Sequence, residues 1–253
     1  LDRLLANLGY GSRKEVKDMA RAGWITLDGG PTKDMDQHVR IEADLPKRLQ
    51  IQGQPIDPPP GMVVMMHKPL GVTCSHKEAG PLVYDLLPLR WRRREPALST
   101  IGRLDKDTSG FLLFTDDGDL LHRVISPKKH VVKQYVACLE RPLTGEEEAM
   151  FASGTLMLEN DDKPLSPAEL EPLSATTARL TIHEGRYHQV RRMFAAVGNH
   201  VTALHRDRIG GLALPPDLAP GAYRVLGAAE IASIFADAPQ NEKRPDGLTR
   251  SDL

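Results

Sequence analysis

Gly102-Arg103-Leu104-Asp105-Lys106-Asp107-Thr108-Ser109-Gly110 runs directly into the apolar stretch Phe111-Leu112-Leu113-Phe114-Thr115. Two acids, two hydroxyls and two glycines ahead of a short apolar run describe an exposed loop mounted on a buried strand, a common place for functional side chains. Arg103 is the nearest cation to the two carboxylates, and Thr108 or Ser109 can hydrogen-bond a carboxylate oxygen. On spacing alone the simpler reading is a turn whose Asp and Thr satisfy their own backbone.

Around this stretch the chain is strand-rich, with few helices and irregular spacing between the strands. Residues 62–66 form an apolar run bounded by turn residues, and 134–139 and 178–182 also read as strands. Helices are expected at 119–125, 145–153 and 188–197. This pattern predicts an α+β domain over 62–235 on a mixed, mainly antiparallel sheet. Upstream, Leu4, Leu5 and Leu8 have helical spacing, and Gly9 and Gly11 stop that helix. Ser12 and Glu15 make a capping box for a second helix that carries Arg13, Lys17 and Arg21 on one side. Residues 24–27 read as a strand, Asp28-Gly29-Gly30 as a hairpin turn, and 39–41 and 49–51 as further strands. Residues 1–54 thus predict a small αα-β unit. Pro55, Pro58, Pro59, Pro60 and Gly61 then predict a semi-stiff linker over 55–61. The polar stretch 236–253 lacks periodicity and is expected to be a disordered tail.

The bulk numbers narrow the function classes. The 253 residues are 40% hydrophobic and 26% charged, which is ordinary for a globular protein. No run approaches the roughly 18–20 apolar residues of a membrane span, and the first residues lack a signal-peptide layout. The two cysteines, Cys74 and Cys138, have no metal-ligand or disulfide-framework spacing, and the nine histidines show no ligand pattern. A cytoplasmic, monomeric protein without metal or organic cofactor is expected. The net charge of −1 excludes a uniformly basic surface but not local patches. Three basic runs stand out, at residues 90–94, 128–130 and 186–192.

The quoted stretch, continued through Phe111-Leu112-Leu113-Phe114-Thr115-Asp116-Asp117-Gly118, resembles the signature of RNA pseudouridine synthases of the ribosomal-RNA type. Asp116 stands where the family has Asn. Lys68-Pro69-Leu70-Gly71-Val72, Lys133-Gln134-Tyr135 and Glu184-Gly185-Arg186-Tyr187-His188-Gln189-Val190-Arg191-Arg192-Met193-Phe194 resemble its other blocks. Gly198-Asn199-His200-Val201 and Arg208-Ile209-Gly210-Gly211 look most like the branch that modifies a uridine of 16S ribosomal RNA. Arg3-Leu4-Leu5, Gly9, Ser12-Arg13 and Gly23-Trp24-Ile25-Thr26-Leu27-Asp28-Gly29 resemble the S4 RNA-binding domain.

The resemblance implies that Asp105 is the catalytic carboxylate, acting on a uridine flipped out of its stack. It implies that Tyr135 is the active-site tyrosine, and that Arg191, with Arg192 in reserve, is the basic partner of Asp105. An Arg beside the carboxylate would keep it ionised in a dry pocket. Arg103, Arg13, Lys17, Arg21, Arg186 and Arg192 are expected on the RNA, and Ile209 or Leu212 in an apolar pocket floor. The expected partner is small-subunit ribosomal RNA. Two alternatives stand beside this: a large-subunit synthase, and a non-catalytic ribosome-assembly factor that keeps an S4 domain.

Overall fold

A computed structural model describes residues 1–126, 129 and 131–236. Residues 237–253, where the tail is expected, and Lys128 and His130 of the second basic run lie outside the described residues.

The two helices and the small sheet expected in the N-terminal part are present. Helix α1 (Asp2–Asn7) and helix α2 (Arg13–Arg21) precede a four-stranded antiparallel sheet. Ser12 accepts from the Glu15 amide and Glu15 from the Ser12 amide, the reciprocal cap that starts α2. Strands β1 (Ile25–Leu27), β2 (Gly30–Pro31), β3 (Leu49–Ile51) and β4 (Gln54–Pro55) lie in the order β2-β1-β3-β4, with helix α3 (Leu45–Arg48) leading into β3. Leu5, Leu8, Val16, Ile25, Leu45 and Leu49 fill a separate small core. The strand expected at 39–41 does not form. Val39 only packs against that core while Arg40 and Ile41 face out, so the segment has no ladder to join.

The stretch 55–61, expected as a semi-stiff linker, makes contacts with both parts. Pro55 pairs in β4 and Ile56 is buried in the N-terminal core. Asp57 receives two hydrogen bonds from Arg90, at 2.5 and 2.9 Å, and Arg90 also lies over the Tyr10 ring. Arg94 and Asp116 form a fully buried ion pair at 2.7 Å, and Asp116 also accepts from the Gly61 amide. The basic run at 90–94 is thus largely structural, with Trp91 buried and Arg92 paired to Asp85.

The larger part is an α+β unit around a mixed sheet in the order β13-β5-β7-β11-β8-β10-β9. Its strands are β5 (Val63–Lys68), β6 (Ser99–Thr100), β7 (Thr108–Thr115), β8 (Lys133–Leu139), β9 (Glu169–Ser174), β10 (Thr177–Ile182), β11 (Val201–Ile209), β12 (Leu212–Ala213) and β13 (Tyr223–Val225). Helices α4 (Gly118–Ile125), α5 (Glu147–Ala152), α6 (Gln189–Ala196) and α7 (Ala228–Ser233) accompany them. All pairings are antiparallel except the central one, β7 with β11, which is parallel. Both faces of the sheet are covered. Val64, Met66, Leu112 and Phe114 join one core, while Val63, Met65, Phe111 and Leu113 join another. That double burial is why β5 and β7 read as continuous apolar runs instead of alternating ones.

Two departures from the sequence reading bear on the site. Thr108, Ser109 and Gly110 belong to β7 and are buried, so the exposed loop ends at Asp107. Strand β11, at the centre of the sheet, was not expected, because His205-Arg206-Asp207-Arg208 interrupts its apolar pattern.

Candidate active site

The loop before β7 is held from below by a buried lysine. Lys68 ends β5 with no exposed surface, and its ammonium donates to the carbonyls of Pro69, Lys106 and Thr108. Burial pulls its pKa below the ordinary lysine value. The Gly71 amide donates to the Lys106 carbonyl at 2.8 Å, and the Thr108 amide to the Asp105 carbonyl at 3.1 Å. These bonds fix the backbone of residues 105–108 and leave the Asp105 side chain about 30% exposed at the rim of a cleft.

The cleft has a volume of about 820 Å³. Asp105, Tyr135, Lys133, Arg206, His188 and Arg186 line it, with Leu204, Ile182, Val190 and Ile209 as apolar wall. That size suits a small organic ligand, for which pockets of roughly 300–1,000 Å³ are usual. Ile209 therefore sits where the floor was expected. Leu212 packs against the second core without lining the cleft.

The charge partner differs from expectation. Arg191 faces Asp107, with 3.0 Å to both its carboxylate and its carbonyl, and also donates to the Val201 carbonyl. It thus closes the loop from above, as Lys68 does from below. The group at the Asp105 carboxylate is His188, with Nε2 3.2 Å from Oδ1. His188 holds a left-handed backbone conformation (φ 47°) at the start of α6 and stacks on the exposed Tyr187 ring. A non-glycine residue in that region is uncommon and often marks a functional position. The sequence places His188 within the third family block but assigns it no role.

Tyr135 is buried, and its hydroxyl lies 3.4 Å from Nη1 of Arg206. The two residues are register partners on β8 and β11. Arg206 also donates through Nε to the Phe111 carbonyl at 2.8 Å. Gly110 is its register partner on β7, with φ +107°. A Cβ there would lie 2.2 Å from the Arg206 carbonyl oxygen, so only glycine lets β7 and β11 come this close. Lys133 extends along the same face of β8 and, among the described residues, donates only to the Val131 carbonyl. Burial, with a smaller push from Arg206, lowers its pKa to about 8.

Of the expected RNA-binding cations, Arg103 and Arg186 line the cleft and the others lie outside it, several in ion pairs. Arg186 and Arg192 share Asp161, at 2.8 and 2.7 Å, and Arg186 also meets Glu184. Those contacts hold the Asp161 carboxyl below the usual carboxylate range. Arg13 pairs with Asp2, Lys17 with Asp36 and Asp2, and Arg21 with Asp18. Arg103 is exposed and reaches Glu78 at 3.3 Å. Among the described residues no cluster of histidine, cysteine and carboxylate side chains could hold a metal ion, and no helix is long and apolar enough to cross a membrane.

Comparison with known proteins converges on one family. Residues 62–196 match the RNA pseudouridylate synthase family. The chain is 42% identical over 238 residues to the ribosomal small subunit pseudouridine synthase A of Escherichia coli, covering 92% of this chain and 99% of that one. It is also 42% identical over 234 residues to an RNA pseudouridine synthase of Bacillus subtilis, covering 91% and 96% of the two chains. A crystal structure of a pseudouridylate synthase superposes with a TM-score of 0.64 at 34% identity, over 92% of this chain and 98% of that one.

Proposed function

The chain belongs to the RNA pseudouridylate synthase family, and from that premise we propose that it isomerises one uridine of small-subunit ribosomal RNA with Asp105 as nucleophile. The observation that carries the reading is the Asp105 carboxylate at the rim of a cleft walled by Tyr135, Lys133 and Arg206. The likeness to the small-subunit enzyme of Escherichia coli along nearly its whole length supports the choice of RNA.

The chemistry follows from the residue types. The glycosidic bond of a stacked nucleotide is out of reach, so the uridine must swing out into the cleft. A free Asp carboxyl has a pKa of ~3.9 and is ionised at neutral pH. Asp105 supplies an electron pair to C1′ as the C1′–N1 bond breaks, and the bonding pair leaves with N1. The detached base turns about the face of Tyr135. Its C5 then bonds to C1′, and the carboxylate departs with the pair it brought. The proton lost from C5 is balanced by the one taken up at N1, so the product is an isomer and no redox partner or group donor enters.

Arg191 contributes at one remove in this scheme. By holding Asp107 it fixes the loop that presents Asp105. Residues 1–54 form the S4-type RNA-binding part, and 62–235 the catalytic part. The test is conversion of C5-tritiated small-subunit and large-subunit ribosomal RNA by the purified protein. Release of one tritium per small-subunit RNA is expected. Release from large-subunit RNA alone would transfer the assignment to that RNA, and release from neither would overturn the reading.

A further inference from the structure

Arg206 is the most unusual charge in the molecule. It is 2% exposed, at the middle of the sheet, between Gly110 of β7 and Tyr135 of β8. Its guanidinium donates to one carbonyl and lies near one phenol hydroxyl, both neutral groups. Its Nη2 is shut off from water and, among the described residues, has no hydrogen-bond partner. Among the described residues it forms no ion pair. A buried cation in this state is costly, and the usual compensation is an anion close by.

Among the described residues no carboxylate pairs with Arg206. Asp105 is held by His188 at the rim and Asp107 by Arg191. Lys133 in the cleft and Lys68 beneath the loop bring further positive charge to the same interior. The wall behind Tyr135 is therefore positive before any substrate arrives. A neutral uracil gains little from such a wall. A uracil that has just left C1′ with the bonding pair is an anion, its charge shared by N1, O2 and O4. A fixed charge in a dry site stabilises that species without reorganising.

We propose that Arg206 is the positioning residue that provides the electrostatic stabilisation of the detached uracil anion, acting through the Tyr135 hydroxyl and through its own buried charge. The inference rests on the isomerisation proposed above. It holds for any route in which the C1′–N1 pair departs with the base.

The test compares Arg206→Gln and Arg206→Lys with the unsubstituted protein, in single turnover on small-subunit RNA. The RNA carries either uridine or 4-thiouridine at the target position. The thio base is the more acidic leaving group and keeps its C5 hydrogen. On uridine, Arg206→Gln is expected to slow the step about 100-fold and Arg206→Lys about tenfold, with RNA affinity unchanged. On 4-thiouridine each deficit is expected to shrink about tenfold or to vanish, because a base that carries its charge better needs less help. A merely structural role would lower both substrates equally, and equal deficits would overturn the inference. So would a full-rate Arg206→Gln protein. Should the Gln variant not fold, the Lys variant carries the same comparison. Failure of the unsubstituted protein to make pseudouridine would instead refute the proposed function.

Discussion

Lys133→Met is expected to stabilise the protein at neutral pH. The Lys133 ammonium lies in the cleft wall with one backbone carbonyl as hydrogen-bond partner, and its pKa falls from 10.5 to about 8. A lowering of that size is worth roughly 3 kcal/mol if the side chain is fully desolvated. The open side of the cleft lets water in, so a gain of about 1–3 kcal/mol is the reasonable range. Below pH 8 the ammonium is charged in both folded and unfolded chains, and the folded chain bears the whole cost. Between about pH 8 and 10.5 the unfolded chain keeps a proton that the folded chain has released, so wild-type stability rises with pH. Methionine matches the lysine stem in shape and has no such cost. Urea unfolding of both proteins at pH 7 and pH 10 reads the difference directly. The variant should be the more stable at pH 7, and the gap should narrow at pH 10. A variant no more stable at pH 7, or a gap that ignores pH, would refute the reasoning.

Three further outcomes follow from the geometry. Gly110→Ala combines a strained φ with a backbone clash, and should cost about 3 kcal/mol or more in denaturant unfolding. Unchanged stability would mean that β7 and β11 are not so closely paired. His188→Ala removes the group on the Asp105 carboxylate and should slow single-turnover conversion about tenfold with RNA affinity intact; a full-rate variant would show that His188 is a bystander. Asp161→Asn releases Arg186 and Arg192 from their shared anion. RNA binding should then tighten at low salt and its log–log salt slope steepen by about 1–2. An unchanged slope would mean that neither arginine reaches phosphate.

The legible parts of the sequence were those where local signals and packing agree. The Ser12–Glu15 cap and the apolar runs of β5 and β7 made their elements readable, because each is set by neighbours in the chain. The segment at 39–41 looked like a strand by composition but has no pairing partner, which sequence cannot display. Strand β11 failed for the opposite reason. Its His205-Arg206-Asp207-Arg208 run looks solvent-facing, yet all four are buried at the sheet centre. The same blind spot hid Arg206 from the site. Asp105 and Tyr135 were found because family motifs name them, and both line the cleft. Arg191 was found by the same route, but its partner was not. A two-residue difference between Asp105 and Asp107 decides whether it touches the carboxylate or braces the loop, and only the fold resolves that. Motif position also marked Arg186 and Arg192 as cations for RNA without revealing Asp161 between them.

The most direct test of the account is Asp105→Asn. The substitution keeps the size of the side chain and removes its nucleophilic charge, while Lys68 and Arg191 still hold the loop. Pseudouridine formed in small-subunit RNA, counted by tritium released from C5, should fall to background, while RNA binding stays at the unsubstituted level. Conversion at the unsubstituted rate by the Asn protein would contradict the central claim.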